Sequence, residues 1–270
     1  MIILLMISTL FASFPPNKRY FAVGVPGSFF NRIFPASSLH FVHSSYSLQW
    51  LSKVPEQLLD KNSLAWNKGR IHYTSASGKV ANAYTSQFEN DIDDFVNARA
   101  KEVVAGGMMV LITLGRPNGT HHSKLPVGLL LDALGFSLMD MAKAYMNFNN
   151  SKQAMRYQNQ LSIQFLCTGA QVDSFNLPLY SVSPKEMTQL TGKNGFFSIE
   201  KMMLTAPSSK TDVPVSPQDM VIHLRAGTEG MLTKHFGNDF IEELFERTSQ
   251  KSAEISYALE TQLFVALKRQ

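Results

Sequence analysis

The stretch Leu39-His40-Phe41-Val42-His43-Ser44-Ser45-Tyr46-Ser47-Leu48-Gln49-Trp50-Leu51-Ser52 decides the fold class. It opens on a mostly apolar run, Leu39–Val42, with an aromatic and a β-branched member, the pattern of a short buried strand. Small hydroxyl residues follow, and then a spacing that predicts a helix. On that helix Tyr46, Gln49 and Trp50 stand at i, i+3 and i+4 and share one face. A phenol, an amide and an indole can each donate a hydrogen bond while presenting flat apolar surface. Such a face suits a small, flat, partly apolar molecule held by a carbonyl or carboxylate. A core-facing helix stripe has the same spacing, so the pattern alone leaves both readings open.

Working outward, Tyr20–Val25 reads as a second short buried strand stopped by Pro26-Gly27, with Ser28, Phe29 and Phe30 next. On the other side Glu56–Lys61 reads as surface, Trp66-Asn67-Lys68-Gly69-Arg70 as a turn, and Ile71–Tyr73 as a short strand. From Tyr84 the apolar positions Phe88, Ile92, Phe95, Val96 and Val103 follow a helical period, which Gly106-Gly107 ends. Met108–Leu114 is a continuous apolar run of strand length, closed by Gly115-Arg116-Pro117. Unbroken apolar strands joined by a long helix predict an α/β domain, its parallel sheet covered on both faces. Ligands of such sheets sit beyond the carboxyl ends of the strands. Ser28-Phe29 and Ser45–Trp50 both fall at such ends.

In the second half Leu125–Lys143 reads as a helix. Tyr145–Thr168 is rich in Asn and Gln with irregular apolar spacing, and reads as a loop or inserted segment. Asp173-Ser174-Phe175-Asn176-Leu177-Pro178 is a compact polar turn, and Ser183-Pro184 starts a helix that stops at Gly192. Phe196–Leu204 reads as a strand, Val215–Gln250 as helix broken at Gly237, and Thr261–Lys268 as a closing strand. A late strand pair adds an antiparallel edge, making the sheet mixed.

Composition narrows the function classes. The chain of 270 residues holds enough apolar sequence for one large domain or two smaller ones. Its formal charge of +4 is spread without a Lys/Arg run, which gives nucleic-acid binding little support. The single cysteine, Cys167, excludes an internal disulfide framework and suits a reducing, cytoplasmic setting. Met1–Ala12 is apolar, yet no basic residue precedes Lys18 and the run is too short to span a bilayer. It reads as the start of a buried element, with no membrane anchoring. Asn118-Gly119-Thr120 is a glycosylation sequon without meaning in the cytosol. The chain contains no Walker loop, no G-x-G-x-x-G and no G-x-S-x-G. His40 and His43 would face opposite sides of a strand, so they do not converge as zinc ligands. Asp173, Asn176 and the Phe175 carbonyl are hard oxygen donors that fit Mg²⁺ if one more arrives; a self-satisfied Asx turn is the competing reading.

Longer matches carry a resemblance. Ala22-Val23-Gly24-Val25-Pro26-Gly27-Ser28-Phe29-Phe30, Phe34-Pro35, the whole stretch Leu39–Ser52 and Trp66-Asn67-Lys68-Gly69-Arg70 resemble the plant salicylate/benzoate/theobromine (SABATH) methyltransferase family. Asp173-Ser174-Phe175-Asn176-Leu177-Pro178, Lys234-His235-Phe236-Gly237 and Glu243-Leu244-Phe245-Glu246-Arg247 continue the match in order. The resemblance implies a methyltransferase-type, Rossmann-like mixed sheet with a helical cap. It also implies transfer of a methyl group from S-adenosylmethionine to the carboxylate of a small plant acid, or in one branch to a ring nitrogen. Ser28, Phe29 and Ser45 match cofactor contacts; Tyr46, Gln49 and Trp50 match the substrate face. Asn67, Asp173, Phe175 and Asn176 match a Mg²⁺-type site of some members, and a homodimer is within the family's range.

The resemblance also implies departures. The family's Gly-rich cofactor loop and its ribose-binding acidic residue precede the strand that holds Phe21. By that comparison residues 1–270 form a single methyltransferase domain that lacks its first βαβ unit. Residues 145–170 stand where the family has a shorter acidic linker, which points to an insert or a retained intron. The alternative expectation is a catalytically inactive remnant, at most a dimerising or binding fragment.

Overall fold

The structure, a computed structural model, describes residues 24–149, 167–193, 195–205, 216–253 and 261–270. Among these residues four strands form one sheet in the order β1-β2-β4-β3. Strand β1 (Leu39–Ser45) runs parallel to β2 (Val103–Leu114), while β4 (Gln262–Arg269) is antiparallel both to β2 and to β3 (Phe197–Thr205). The sheet is therefore mixed, and its parallel pair is followed by the antiparallel edge that the late strands predict.

Helix α1 (Gly78–Glu102) lays Tyr84, Phe88, Ile92, Phe95 and Val96 into a core shared with Met109 and Leu111 of β2 and Leu263, Val265 and Leu267 of β4. Helix α4 (Pro184–Gly192) adds Met187 and Leu190 to that core. Its boundaries follow from local chemistry: Ser183 and Glu186 form a capping box, and Pro184 occupies a first-turn position that lacks a hydrogen-bond partner anyway. Burial alternates along β2, and Val110 and Ile112 stay half-buried on the opposite face. Among the described residues helices thus cover one face of the sheet, where unbroken apolar strands had implied both.

A second core lies between helices α2 (Pro126–Asn149), α5 (Pro217–Phe236) and α6 (Ile241–Ser252), with Leu134, Leu138, Leu232 and Leu244 at its centre. It forms the helical cap. The break between α5 and α6 falls at Gly237, whose φ of +98° is a backbone state that glycine takes without a side-chain clash.

Several expectations are corrected. Residues 46–52 form a turn, not a helix: Tyr46 takes φ +49°, and the neighbouring backbone pairs with a distant segment. Ile71–Tyr73 is irregular chain, not a strand; Ile71, His72, Tyr73 and Thr74 are all buried, without the alternation a strand imposes. Gly106-Gly107 does not end α1, which stops at Glu102 as Val103 turns extended. The glycines form an irregularity inside β2, where Leu39 pairs with Val103 but Phe41 pairs with Met108. A Cβ on Gly107 would lie 2.7 Å from Val103 Cγ1 and 2.9 Å from the Val104 carbonyl oxygen, so the bulge requires glycine. Helix α2 continues through Asn149 into the stretch read as irregular, and Asp173 ends the short helix α3 (Gly169–Asp173). Gly24 and Val25 lie in no strand. Residues 20–23, and 150–166 of the expected insert, lie outside the described residues.

Gly115 closes β2 against β4. A Cβ there would stand 2.7 Å from Leu204 Cδ2, 2.8 Å from the Leu263 amide nitrogen and 2.9 Å from the Gln262 carbonyl carbon. Backbone cannot yield as a side chain can, so Gly115→Ala is expected to cost about 1–3 kcal/mol. Urea unfolding should show a lower midpoint at unchanged slope. An unchanged midpoint would contradict this close approach.

Candidate active site

The turn after β1 is shaped from a distance. Trp50 N–H closes it onto the Ser47 carbonyl (3.1 Å), and the Ser44 and Ser47 hydroxyls bond each other (2.6 Å). Leu51 N–H then donates to the Pro178 carbonyl (2.7 Å), and Tyr180 N–H donates to the Gln49 carbonyl (2.8 Å). This antiparallel bridge holds Gln49 and Trp50 beside the segment Leu177–Val182. Tyr46 diverges from them, its hydroxyl donating to Gln262 Oε1 (2.7 Å) at the carboxyl end of the sheet.

Gln49 and Trp50 line a cavity of about 230 Å³ whose other walls are mainly apolar. Leu114 closes the end of β2, Val127, Leu130 and Leu131 come from α2, Leu177 and Leu179 from the adjoining segment, and Met220, His223, Leu224, Gly227 and Thr228 from α5. Gln49 is buried, and its Oε1 accepts from Thr113 Oγ1 (3.3 Å). That bond anchors the amide, whose NH₂ is a neutral donor at the cavity wall. Tyr46 is not among the lining residues.

Ser28 and Phe29 belong to a different part of the molecule. Ser28 is exposed; Phe29 is half-buried, with its ring 4.4 Å from that of Phe30. A hydroxyl and a partly open aromatic face fit an adenosine-like group. Their turn is hydrogen-bonded to the last turn of α1 near the amino end of β2, not beyond the carboxyl end of a strand as the sequence implied, whereas exposed Ser45 does close the carboxyl end of β1.

The oxygen-rich set is assembled in part. Asn67 Nδ2 donates to Asn176 Oδ1 (2.6 Å) and to the His72 carbonyl (3.2 Å), and a carbonyl acceptor fixes which end of the amide is nitrogen. Asn67 Oδ1 is then buried without a hydrogen-bond partner among the described residues, as is Asn176 Nδ2. Asp173 Oδ1 accepts from Gly69 N–H (2.7 Å), which brings the Asp173–Asn176 turn to the Asn67 turn. A cation would satisfy the Asn67 oxygen but not the Asn176 nitrogen. Among the described residues no three His, Cys, Asp or Glu side chains cluster as metal ligands.

A family model described as SAM dependent carboxyl methyltransferase matches residues 7–270. The chain belongs to this family. It is 40% identical over 270 residues to the loganic acid O-methyltransferase of Catharanthus roseus, covering 97% of this chain and 67% of that protein. It is 34% identical over 248 residues to the farnesoic acid carboxyl-O-methyltransferase of Arabidopsis thaliana, covering 92% and 65%. A solved structure of a loganic acid methyltransferase with SAH superposes with a TM-score of 0.82 at 39% identity, covering 97% of this chain and 70% of the other. The chain thus spans about two thirds of the length of these relatives, and its fold is that of a methyltransferase.

Sequence reasoning missed the cap side of this cavity. Met220, Leu224, Gly227 and Thr228 stand at i, i+4, i+7 and i+8 on α5, a signal that was present but indistinguishable from a core stripe. It also missed His72. The ring's Nε2 lies 2.8 Å from the Leu179 carbonyl oxygen, which can only accept, so Nε2 carries the hydrogen and Nδ1 accepts from Thr74 Oγ1 (3.3 Å). Burial pushes the His72 pKa down to about 3, so the ring is neutral in the fold. No described helix is long and apolar enough to cross a membrane.

Between pH 6.5 and 3 the unfolded chain binds a proton at His72 that the folded chain refuses, so stability falls as pH falls through this window. One histidine contributes about 2 kcal/mol of loss between pH 7 and pH 5. Urea unfolding at these two pH values should show that loss, and His72→Gln should lack it. Equal pH dependence in parent and variant would mean that His72 is protonated in the fold.

Proposed function

We propose that the chain acts as an S-adenosylmethionine-dependent O-methyltransferase on the carboxyl group of a small, largely apolar plant acid. The observation that carries this reading is the arrangement of Gln49. Its amide, anchored on Thr113, offers a neutral donor to a mostly apolar cavity, next to the indole of Trp50. Two neutral donors suit the oxygens of a carboxylate. The relatives named for loganic and farnesoic acids support the same chemistry.

Ser45, at the carboxyl end of β1, and Ser28 and Phe29, beside the last turn of α1, would contact separate parts of the cofactor, which supplies an electrophilic methyl group when bound. A carboxylate is already a nucleophile at neutral pH, so the site requires no general base. Gln49 and Trp50 orient the acid, and neither carries charge that would lower its nucleophilicity. Esterification removes the acid's charge, so walls such as Leu114, Leu131 and Leu179, which exclude water, favour the reaction. Tyr46, placed at the carboxyl end of the sheet, would border the acceptor from outside this cavity. Asn67, Asp173, Asn176 and the Phe175 carbonyl would hold Mg²⁺ as a structural brace between two turns, with the unpartnered Asn67 oxygen as support.

Methyl transfer from labelled S-adenosylmethionine to a panel of plant acids tests the assignment. Failure to methylate any of them, together with failure to bind S-adenosylhomocysteine, would overturn it. Trp50→Ala removes a donor and an apolar wall. Loss of a hydrogen bond to a charged group costs roughly 1.5–3 kcal/mol, so turnover should drop at least about tenfold. A stably folded Trp50→Ala protein with parental turnover would sink that role.

The metal reading has its own readout. Millimolar MgCl₂, compared with NaCl at equal ionic strength, should raise the melting temperature of the parent chain and leave Asn67→Ala unchanged. Identical melting in both salts excludes a Mg²⁺ brace at these turns.

A further inference from the structure

The segment between Ser28 and Ser38 crosses the end of α1, and a buried ion pair stitches it there. Arg99 Nε donates to Glu102 Oε2 (2.6 Å), with the two side chains 2% and 0% exposed. Both terminal nitrogens of Arg99 and the second oxygen of Glu102 bond to backbone. Arg99 Nη1 donates to the Phe29 carbonyl (2.9 Å) and Nη2 to the Asn31 carbonyl (2.9 Å). Glu102 Oε1 accepts from the N–H groups of Ile33 (2.6 Å) and Phe34 (2.8 Å). The helix end joins in, since Ser37 and Ser38 N–H donate to the Lys101 and Glu102 carbonyls (3.0 and 2.8 Å). The guanidinium also lies over the Phe95 ring, 5.1 Å from its centroid.

Such a pair is a costly way to gain stability. Desolvating two charges is unfavourable, and apolar residues of similar volume often do as well or better. What apolar residues cannot do is fix the carbonyls of Phe29 and Asn31 and the amides of Ile33 and Phe34 in one geometry. The fixed object is a tight turn: Asn31 N–H donates to the Ser28 carbonyl (3.0 Å), and Phe30 N–H to Ser28 Oγ (3.4 Å). Phe30 is anchored in the core, while Ser28 is exposed and Phe29 half-exposed on the outer side.

We infer that Arg99 and Glu102 are positioning residues for the adenosine end of the cofactor: they touch no ligand, but hold the Ser28-Phe29 turn in its binding geometry. The inference rests on the reading of Ser28 and Phe29 as cofactor contacts. It gives the pair a role in cofactor affinity rather than in turnover or acceptor recognition.

The test compares the full chain with three variants by calorimetric titration of S-adenosylhomocysteine and by steady-state kinetics. Arg99→Leu/Glu102→Leu removes the pair as a unit and leaves no lone buried charge. It should unfold cooperatively, bind S-adenosylhomocysteine at least about tenfold more weakly, and keep the acceptor KM and the kcat at saturating cofactor within about twofold. A folded double variant with parental affinity overturns the inference. Arg99→Lys keeps the charge but loses the planar fork, so it should weaken binding by about threefold or more even if the double variant fails to fold. A lowered melting temperature with unchanged affinity in Arg99→Lys would make the pair merely structural, and overturns the inference too. Phe29→Ala separates the two layers of argument. If its affinity is parental, the cofactor role of the turn fails; if it is weakened while Arg99→Lys is not, only the positioning role fails.

Discussion

The segment Leu177–Val182 is irregular chain running through the interior, so each of its buried amides and carbonyls needs a partner. Most of these links can be traced. Leu177 N–H donates to the Ile71 carbonyl (2.7 Å), and the Leu177 carbonyl accepts from Tyr84 Oη (2.9 Å) and Leu179 N–H (2.9 Å). The Pro178 carbonyl accepts from Leu51, and the Leu179 carbonyl accepts from His72. Tyr180 N–H reaches the Gln49 carbonyl, Ser181 N–H reaches Tyr73 Oη (3.1 Å), and Val182 N–H reaches the Leu114 carbonyl (3.2 Å). One segment thereby ties α1, the end of β2, the turn after β1 and the 71–73 chain into a unit. The placement of Gln49 and Trp50 against the cap depends on it. That dependence explains why a buried neutral imidazole is tolerated: unpaired, the Leu179 carbonyl would cost about 1–3 kcal/mol.

The two cores divide the labour. The core beneath the sheet, built by α1, α4 and alternate residues of β2 and β4, fixes the strand ends. The core of the cap, built by α2, α5 and α6, closes over the cavity with side chains of ordinary packing type. The cavity lies where the second core meets the end of the first, so its lining can vary through α5 without touching the sheet. Gly227 illustrates this: a Cβ there would lie 3.7 Å from Trp50 Cζ2, an ordinary contact, so packing alone does not demand glycine. Its absence of a side chain leaves width beside the indole.

Legibility follows the range of the interactions. Helix α4 was readable to the residue because Ser183, Pro184 and Glu186 act on neighbours three residues away. The strand at Leu39 and the break at Gly237 were equally local. The turn at 46–52 was not, because its shape comes from bonds to Pro178 and Tyr180. Helical spacing correctly joined Gln49 to Trp50, but for the wrong reason, and it wrongly added Tyr46 to their face. Gly106-Gly107 had two valid local readings, and only the register against β1 selects the bulge. The cap residues of the cavity carried a helical period that fits a core as well as a site. The oxygen set around Asn67 was recognisable only through the resemblance, since its two turns lie more than a hundred residues apart and meet through Gly69 and Asp173.

The polarity of the cavity gives the last step. Thr113 is fully buried on β2, and its hydroxyl has Gln49 Oε1 as acceptor. The Gln49 amide is therefore anchored from within the sheet, and under the proposed function the reorganisation cost of binding an acid is lowered in advance. A histidine at the same place would add a titrating donor whose charge would pair with the carboxylate and hold it more tightly in the ground state. A neutral amide orients the carboxylate without stabilising its charge to that extent. Under the proposed function the reaction consumes that charge, and weaker ground-state stabilisation leaves less to be undone on the way to the ester. An anchored amide, an indole and apolar walls thus suit the proposed change from acid anion to neutral ester.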